Sequence, residues 1–208
     1  MRRFILVAAL LLVANAQAQA QSDVAKVEAG AQFTSIIASD PPIFPRVTLT
    51  RWVPGFGGRF TFNLTNHVAL EAEGNFFPRG GESDRIGEGR KAQALFGVKA
   101  GMRKDKFGVF GKVRPGFMYF SEPHLECPEE EFICHEVRRI RLAVDLGAVV
   151  EVYPSHRWLI RFDMGDTLIS FPDIRMSVSE PGFPTLRGTS PGSITHNFQF
   201  STGIGIRF

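Results

Sequence analysis

Hydrophobic and polar residues alternate along most of this chain, and the alternation is longest at its end. Reading back from the C-terminus, Phe208, Ile206, Ile204, Thr202, Phe200 and Phe198 form one mostly apolar face. Arg207, Gly205, Gly203, Ser201, Gln199 and Asn197 form the other. Period-2 alternation marks a strand with one apolar and one polar side. Soluble strands run to about 5–6 residues, whereas a tilted strand crossing a bilayer needs about 9–11. The closing stretch has the membrane length.

The same pattern recurs upstream. A first strand is predicted from Val27 to about Ile37, then a connection from Ser39 to Gly55 whose prolines (Pro41, Pro42, Pro45, Pro54) argue against a central strand. Gly57–Leu64 and Val68–Phe76 form a hairpin around Thr65-Asn66-His67. A polar loop, Pro78–Lys91, leads to a second hairpin, Ala92–Met102 and Phe107–Phe120, turning at Arg103-Lys104-Asp105-Lys106. After an acidic loop, Ser121–Glu136, a third hairpin starts near Arg139, turns at Pro154–Arg157 and continues through Trp158–Gly165. A connection from Asp166 to Ile194 reaches the closing strand. The fold class is therefore all-β, with eight antiparallel up-and-down strands whose connections alternate long and short. That ordering is expected of a transmembrane β-barrel with short periplasmic turns, long outer loops and both termini on the periplasmic side.

Opposite the apolar faces lie Arg59, Glu71, Glu73, Lys99, Lys112, Arg114, Arg141, Asp145, Glu151, Arg161 and Asp163. Acids and bases are nearly balanced and alternate among neighbouring strands. A barrel of about eight strands is just wide enough for side chains to fill, and an unpaired buried ion costs several kcal/mol. The expectation is a lumen plugged by a salt-bridge network, with Gly97, Gly101, Gly108, Gly116 and Gly147 leaving room for the Arg and Lys stems. Glu71 and Glu73 on one face also suit an acid/base pair or a gated ion path, but the cations around them and the narrow bore favour the plug. Tyr153, Trp158, Phe107 and Tyr119 fall near strand ends and are expected in aromatic girdles at the two membrane interfaces.

Composition changes this picture in two places. Met1-Arg2-Arg3 before the apolar run Phe4–Ala14 reads as a secretory signal of residues 1–20, cleaved after Ala18 or Ala20, leaving a barrel domain of 21–208. Arg2 and Arg3 also supply two of the 24 basic residues, so the rest of the chain carries 22 against 21 acids. That balance gives no footing for a nucleic-acid partner. Cys127 and Cys134 in the acidic loop are an even pair in an exported chain, which favours a disulfide. A metal site adding His124 and His135 is the alternative. No cofactor, metal or catalytic residue is assigned.

The alternation, the loop asymmetry and the terminal Gly203-Ile204-Gly205-Ile206-Arg207-Phe208 resemble the small OmpA/OmpX-type outer-membrane β-barrels. In such barrels a terminal Phe is part of the signal read by the β-barrel assembly machinery, a role the resemblance places on Phe208. It implies a monomer in the bacterial outer membrane, in contact with its lipid and lipopolysaccharide, that acts structurally or through extracellular loops. A lipid A-modifying enzyme of the outer leaflet or a narrow channel are the alternatives. Eight-stranded lipid A deacylases pair Ser with His near the outer interface. Here His67 and His156 fall in inner turns, and His196 lacks a serine two residues away.

Overall fold

The computed structural model describes residues 25–39, 50–78, 89–121, 140–171, 174–178, 186–190 and 192–208. The signal segment and both cysteines, Cys127 and Cys134, lie outside them. Ten strands are described: β1 (Val27–Ser39), β2 (Thr50–Asn63), β3 (Val68–Phe77), β4 (Lys91–Arg103), β5 (Phe107–Phe120), β6 (Ile140–Val152), β7 (Trp158–Phe171), β8 (Ile174–Val178), β9 (Leu186–Ser190) and β10 (Ser193–Arg207). Eight of them close into a barrel in the order β1-β10-β7-β6-β5-β4-β3-β2, every pair antiparallel.

Short polar turns set the hairpins. Thr65 Oγ1 accepts from the Val68 N–H at 3.0 Å, and Ser155 Oγ accepts from the Trp158 N–H at 3.2 Å. Each hydroxyl ties off the start of the returning strand. Following the pairs round the wall from Gly205 leads through Gly30, Arg59, Glu73, Leu95, Gly116, Ala143 and Ile169 to Thr195. The path returns to β10 ten residues from its start. Ten residues at ~3.3 Å against eight spacings of ~4.8 Å give a strand tilt of roughly 40°.

Two sequence expectations are corrected here. The connection predicted from Ser39 to Gly55 is shorter, because β1 runs to Ser39 and β2 already starts at Thr50. Pro54 lies within β2, paired with Ser35. The β2–β3 register begins at Phe56, so at Pro54 the strand has a neighbour on one side only and the missing N–H breaks no ladder bond towards β3. Likewise Asp166–Phe171 continues β7, and the connection to β10 carries a hairpin of its own, β8–β9. Pro115 leaves a different mark. The β4–β5 pairs stop at Leu95↔Gly116 and resume in the same register at Val98↔Val113.

The two faces differ as the alternation requires. Phe33, Phe60, Phe96, Val113, Leu142, Phe162 and Ile204 all point outward and are exposed. So wide an apolar surface is foreign to a soluble monomer and suits lipid. The buried core is the lumen itself.

Candidate functional site

The lumen is filled in three layers. Nearest the short turns and through the middle lies an ionic layer, in which, among the described residues, six cations (Lys99, Arg103, Lys112, Arg114, Arg161, Arg207) pair with six acids (Glu28, Glu71, Glu73, Asp145, Glu151, Asp163). Arg161 donates through Nη2 to Glu71 at 2.9 Å and to Asp163 at 2.8 Å, and its Nη1 also meets Glu71. Arg114 reaches Glu73 from Nη1 at 2.5 Å and Asp145 from Nη2 and Nε at 2.6 and 2.8 Å. Lys112 bridges Asp163 and Asp145, the latter at 2.7 Å. Lys99 bonds Glu151 and stands 3.5 Å from Glu71. One-to-one balance limits the desolvation cost that an excess of either sign would impose.

Two glycines make this packing possible. A Cβ at Gly97 would stand 2.0 Å from the Val113 carbonyl and 2.9 Å from Arg114 Cγ. At Gly147 it would meet the Met164 carbonyl at 2.1 Å and Lys112 Cε at 2.9 Å.

Three members of the ionic layer are absent from the sequence-based set. Glu28 accepts from Arg103 at 3.2 Å and from Asn63 at 3.0 Å, and lies 3.4 Å from Arg207 Nε. The signal was available, since Glu28 and Arg207 occupy the polar faces of their strands and Arg103 continues the parity of Lys99 and Gly101. The sequence pattern puts Arg103 in a turn, and strand ends are where such boundaries blur.

Tyr153 is also misplaced by the sequence reading. It is buried, not in an outer girdle: its hydroxyl donates to Glu151 at 2.7 Å and accepts from Arg103 at 3.0 Å, while Arg207 stacks 4.2 Å from its ring. Parity explains this, because Tyr153 follows Glu151 by two. Burial and then the Glu151 carboxylate hold its phenol well above the usual range. Trp158, Phe107 and Tyr119 do lie on the exposed outer face.

Above the ions lies a layer of amides and hydroxyls. Arg59, buried, makes no ion pair among the described residues and donates to Gln32 Oε1 at 3.0 Å. From there the chain of bonds runs Gln32 to Asn75 (2.8 Å), Asn75 to Gln93 (2.8 Å), Gln93 to Gln199 (3.1 Å) and Gln199 to Thr34 (3.2 Å). The third layer, at the strand ends that meet the long connections, is apolar: Ile36, Val53, Phe77, Met118, Ala143 and Ile169, with Phe120 and Phe171 packed on it. Arg141 sits at this level, 5.4 Å from the Phe171 ring and away from the ionic layer.

Outside the barrel, His196 Nδ1 and Asp166 Oδ2 are 2.5 Å apart on the exposed surface. Among the described residues no cluster of three or more His, Cys, Asp and Glu side chains suits a metal ion.

The sequence profile of the family described as "Outer membrane protein beta-barrel domain" matches residues 6–208. The fold is similar to the crystal structure of outer membrane protein OprG from Pseudomonas aeruginosa, at 13% identity and a TM-score of 0.57, covering 88% of this chain and 95% of that one. It is similar also to the N-terminal β-barrel domain of OprF from the same organism, at 10% identity and a TM-score of 0.51, covering 88% of this chain and 96% of that one. Such low identities establish a shared fold and leave function to be argued from the site. No curated protein matches the sequence.

Proposed function

Because the chain belongs to the outer membrane protein β-barrel domain family and resides in the bacterial outer membrane, we propose that it is a sealed, non-conducting and non-catalytic scaffold whose extracellular connections meet the cell exterior. One observation carries this reading: the lumen is occupied from end to end by paired ions, linked amides and an apolar outer layer. Ions crossing it would have to break pairs in a low-dielectric bore and then pass a dry apolar constriction. Binding residues concentrate on loops held by rigid scaffolds, and the barrel wall is occupied by lipid outside and by its own network inside.

In this reading residues 1–20 are removed on export, Phe208 contributes to recognition by the assembly machinery, and the barrel is monomeric in lipid and lipopolysaccharide. The acidic loop Ser121–Glu136, clamped by a Cys127–Cys134 disulfide, is the first candidate for a cationic surface partner or a divalent-cation layer. The test has three arms. In planar bilayers the refolded protein is expected to show no steady conductance, and a large steady single-channel current would refute the seal. Replacing Ser121–Glu136 by a short Gly-containing turn is expected to leave insertion intact while reducing cell-surface binding or serum survival. Normal insertion with every surface phenotype unchanged would refute the role of that loop. Mass spectrometry of lipid A from cells with and without the protein is expected to show identical acylation.

A further inference from the structure

The outward face of the described barrel strands is apolar or small almost everywhere, with one exception. Asp166 on β7 is its only acid and His196 on β10 its only base, and the two are bonded to each other. Asp166 is held further by the Asn197 N–H at 2.9 Å. Both are open to the outside, the histidine side chain 75% exposed and the aspartate 39%.

Their height decides what they meet. Counted from the paired residues Trp158 and Ile206 at the inner rim, Asp166 lies eight residues along β7 and His196 ten along β10. At ~3.3 Å per residue and ~40° of tilt these are rises of roughly 20 and 25 Å. The apolar band of such barrels is about 25 Å tall, so the pair lies at its outer edge, where acyl chains give way to headgroups. Trp52, 60% exposed, stands nearby. Its partner Ile37 is one step beyond Ile36↔Gln199, so only β1 separates Trp52 from β10, a lateral gap of about 10 Å, and Asp166 on β7 lies one strand further, at about 15 Å.

We propose that Asp166, His196 and Trp52 form a binding site for the sugar headgroup of an outer-leaflet glycolipid. The carboxylate accepts from sugar hydroxyls, the imidazole hydrogen-bonds a hydroxyl or phosphate oxygen, and the indole offers a flat apolar face to the ring at the depth where Trp residues settle in membranes. A carboxylate–imidazole pair presents acceptor and ring-nitrogen groups side by side, which suits a headgroup rich in both donors and acceptors better than a lone phosphate, which the carboxylate would repel. This site rests on the membrane reading above, which already sets the barrel in lipopolysaccharide, and adds to it the residues that hold the headgroup.

The test is native mass spectrometry of the refolded full chain in detergent, titrated in parallel with diphosphorylated disaccharide lipid A, phosphatidylglycerol and phosphatidylcholine. Lipid A is expected to be retained preferentially, and His196→Gln and Asp166→Asn are each expected to weaken that retention about 5-fold, the worth of one hydrogen bond. Trp52→Leu should weaken it as well. His196→Gln leaves the Asp166–Asn197 bond in place, so a variant with an undisturbed backbone remains even if Asp166→Asn misfolds. Equal retention of lipid A by wild type and folded His196→Gln would overturn the site, and so would a preference for phosphatidylglycerol. Failure of the wild type to show a heat-dependent mobility shift would instead refute the barrel reading on which the site stands.

Discussion

Arg114 is the most demanding single residue in the lumen, and Arg114→Met measures what the ionic layer costs when broken. The change removes three short charge-assisted bonds, one to Glu73 at 2.5 Å and two to Asp145 at 2.6 and 2.8 Å. At about 1.5–3 kcal/mol each these would total roughly 4.5–9 kcal/mol if nothing compensated. Compensation exists on one side only. Lys112 remains 2.7 Å from Asp145, whereas Glu73 has no other cation within ion-pair distance among the described residues and keeps only the Asn75 amide at 2.8 Å. The net damage is one stranded buried carboxylate, about 3–5 kcal/mol. The control follows directly: Glu73→Gln on top of Arg114→Met removes the stranded charge and should recover roughly half of the loss. Urea unfolding in lipid vesicles, followed by tryptophan fluorescence, measures both. If Arg114→Met falls within about 1 kcal/mol of wild type, or if the double variant is less stable than the single one, the ionic layer does not hold the barrel in the manner described.

Three further outcomes are expected. Gly97→Ala forces a Cβ to 2.0 Å from the Val113 carbonyl, a backbone atom that cannot swing away, and should destabilise by about 1–3 kcal/mol in the same assay. Tyr153 is held protonated in the folded barrel, so its contribution is complete below about pH 10 and is lost as pH rises through the raised folded value; stability of the wild type should therefore decline more steeply above pH 10 than that of Tyr153→Phe, and parallel curves would refute the assignment. Wild-type protein should shift in electrophoretic mobility on boiling, and recovery of soluble periplasmic protein without that shift would refute the membrane fold.

The wall of this barrel is legible in the sequence because a strand's side-chain period is two and one face must meet lipid. Val109, Val113 and Phe117 against Lys112 and Arg114 already fix which way β5 faces. The ends of strands are less legible. Pro54 argues against a strand until it is known that β3 has stopped short of it, and that is a fact about a neighbour, not about Pro54. The outer layer is illegible for a related reason: Ile36, Phe77 and Met118 share the parity of the polar residues below them, so an apolar residue there reads as noise until six strands bring theirs to one level. Which acid meets which base depends on the ten-residue stagger, which places Glu71 of β3 against Arg161 of β7 across the bore. No local pattern carries that number.

The seam of the barrel joins β1 to β10, with Glu28 paired opposite Arg207. Of all the ladders in the wall this one spans the greatest length of chain, so its loop-closure entropy is the largest and it cannot form until the final strand has arrived. Until then the sheet has two open edges, each a row of unpaired N–H and C=O groups able to template pairing with another chain. The stagger that completes the cylinder thus also dictates the order of events: a curled, open sheet with apolar outer residues comes first, and closure of the first strand on the last comes at the end. A chain of this design is at its most aggregation-prone just before it is finished.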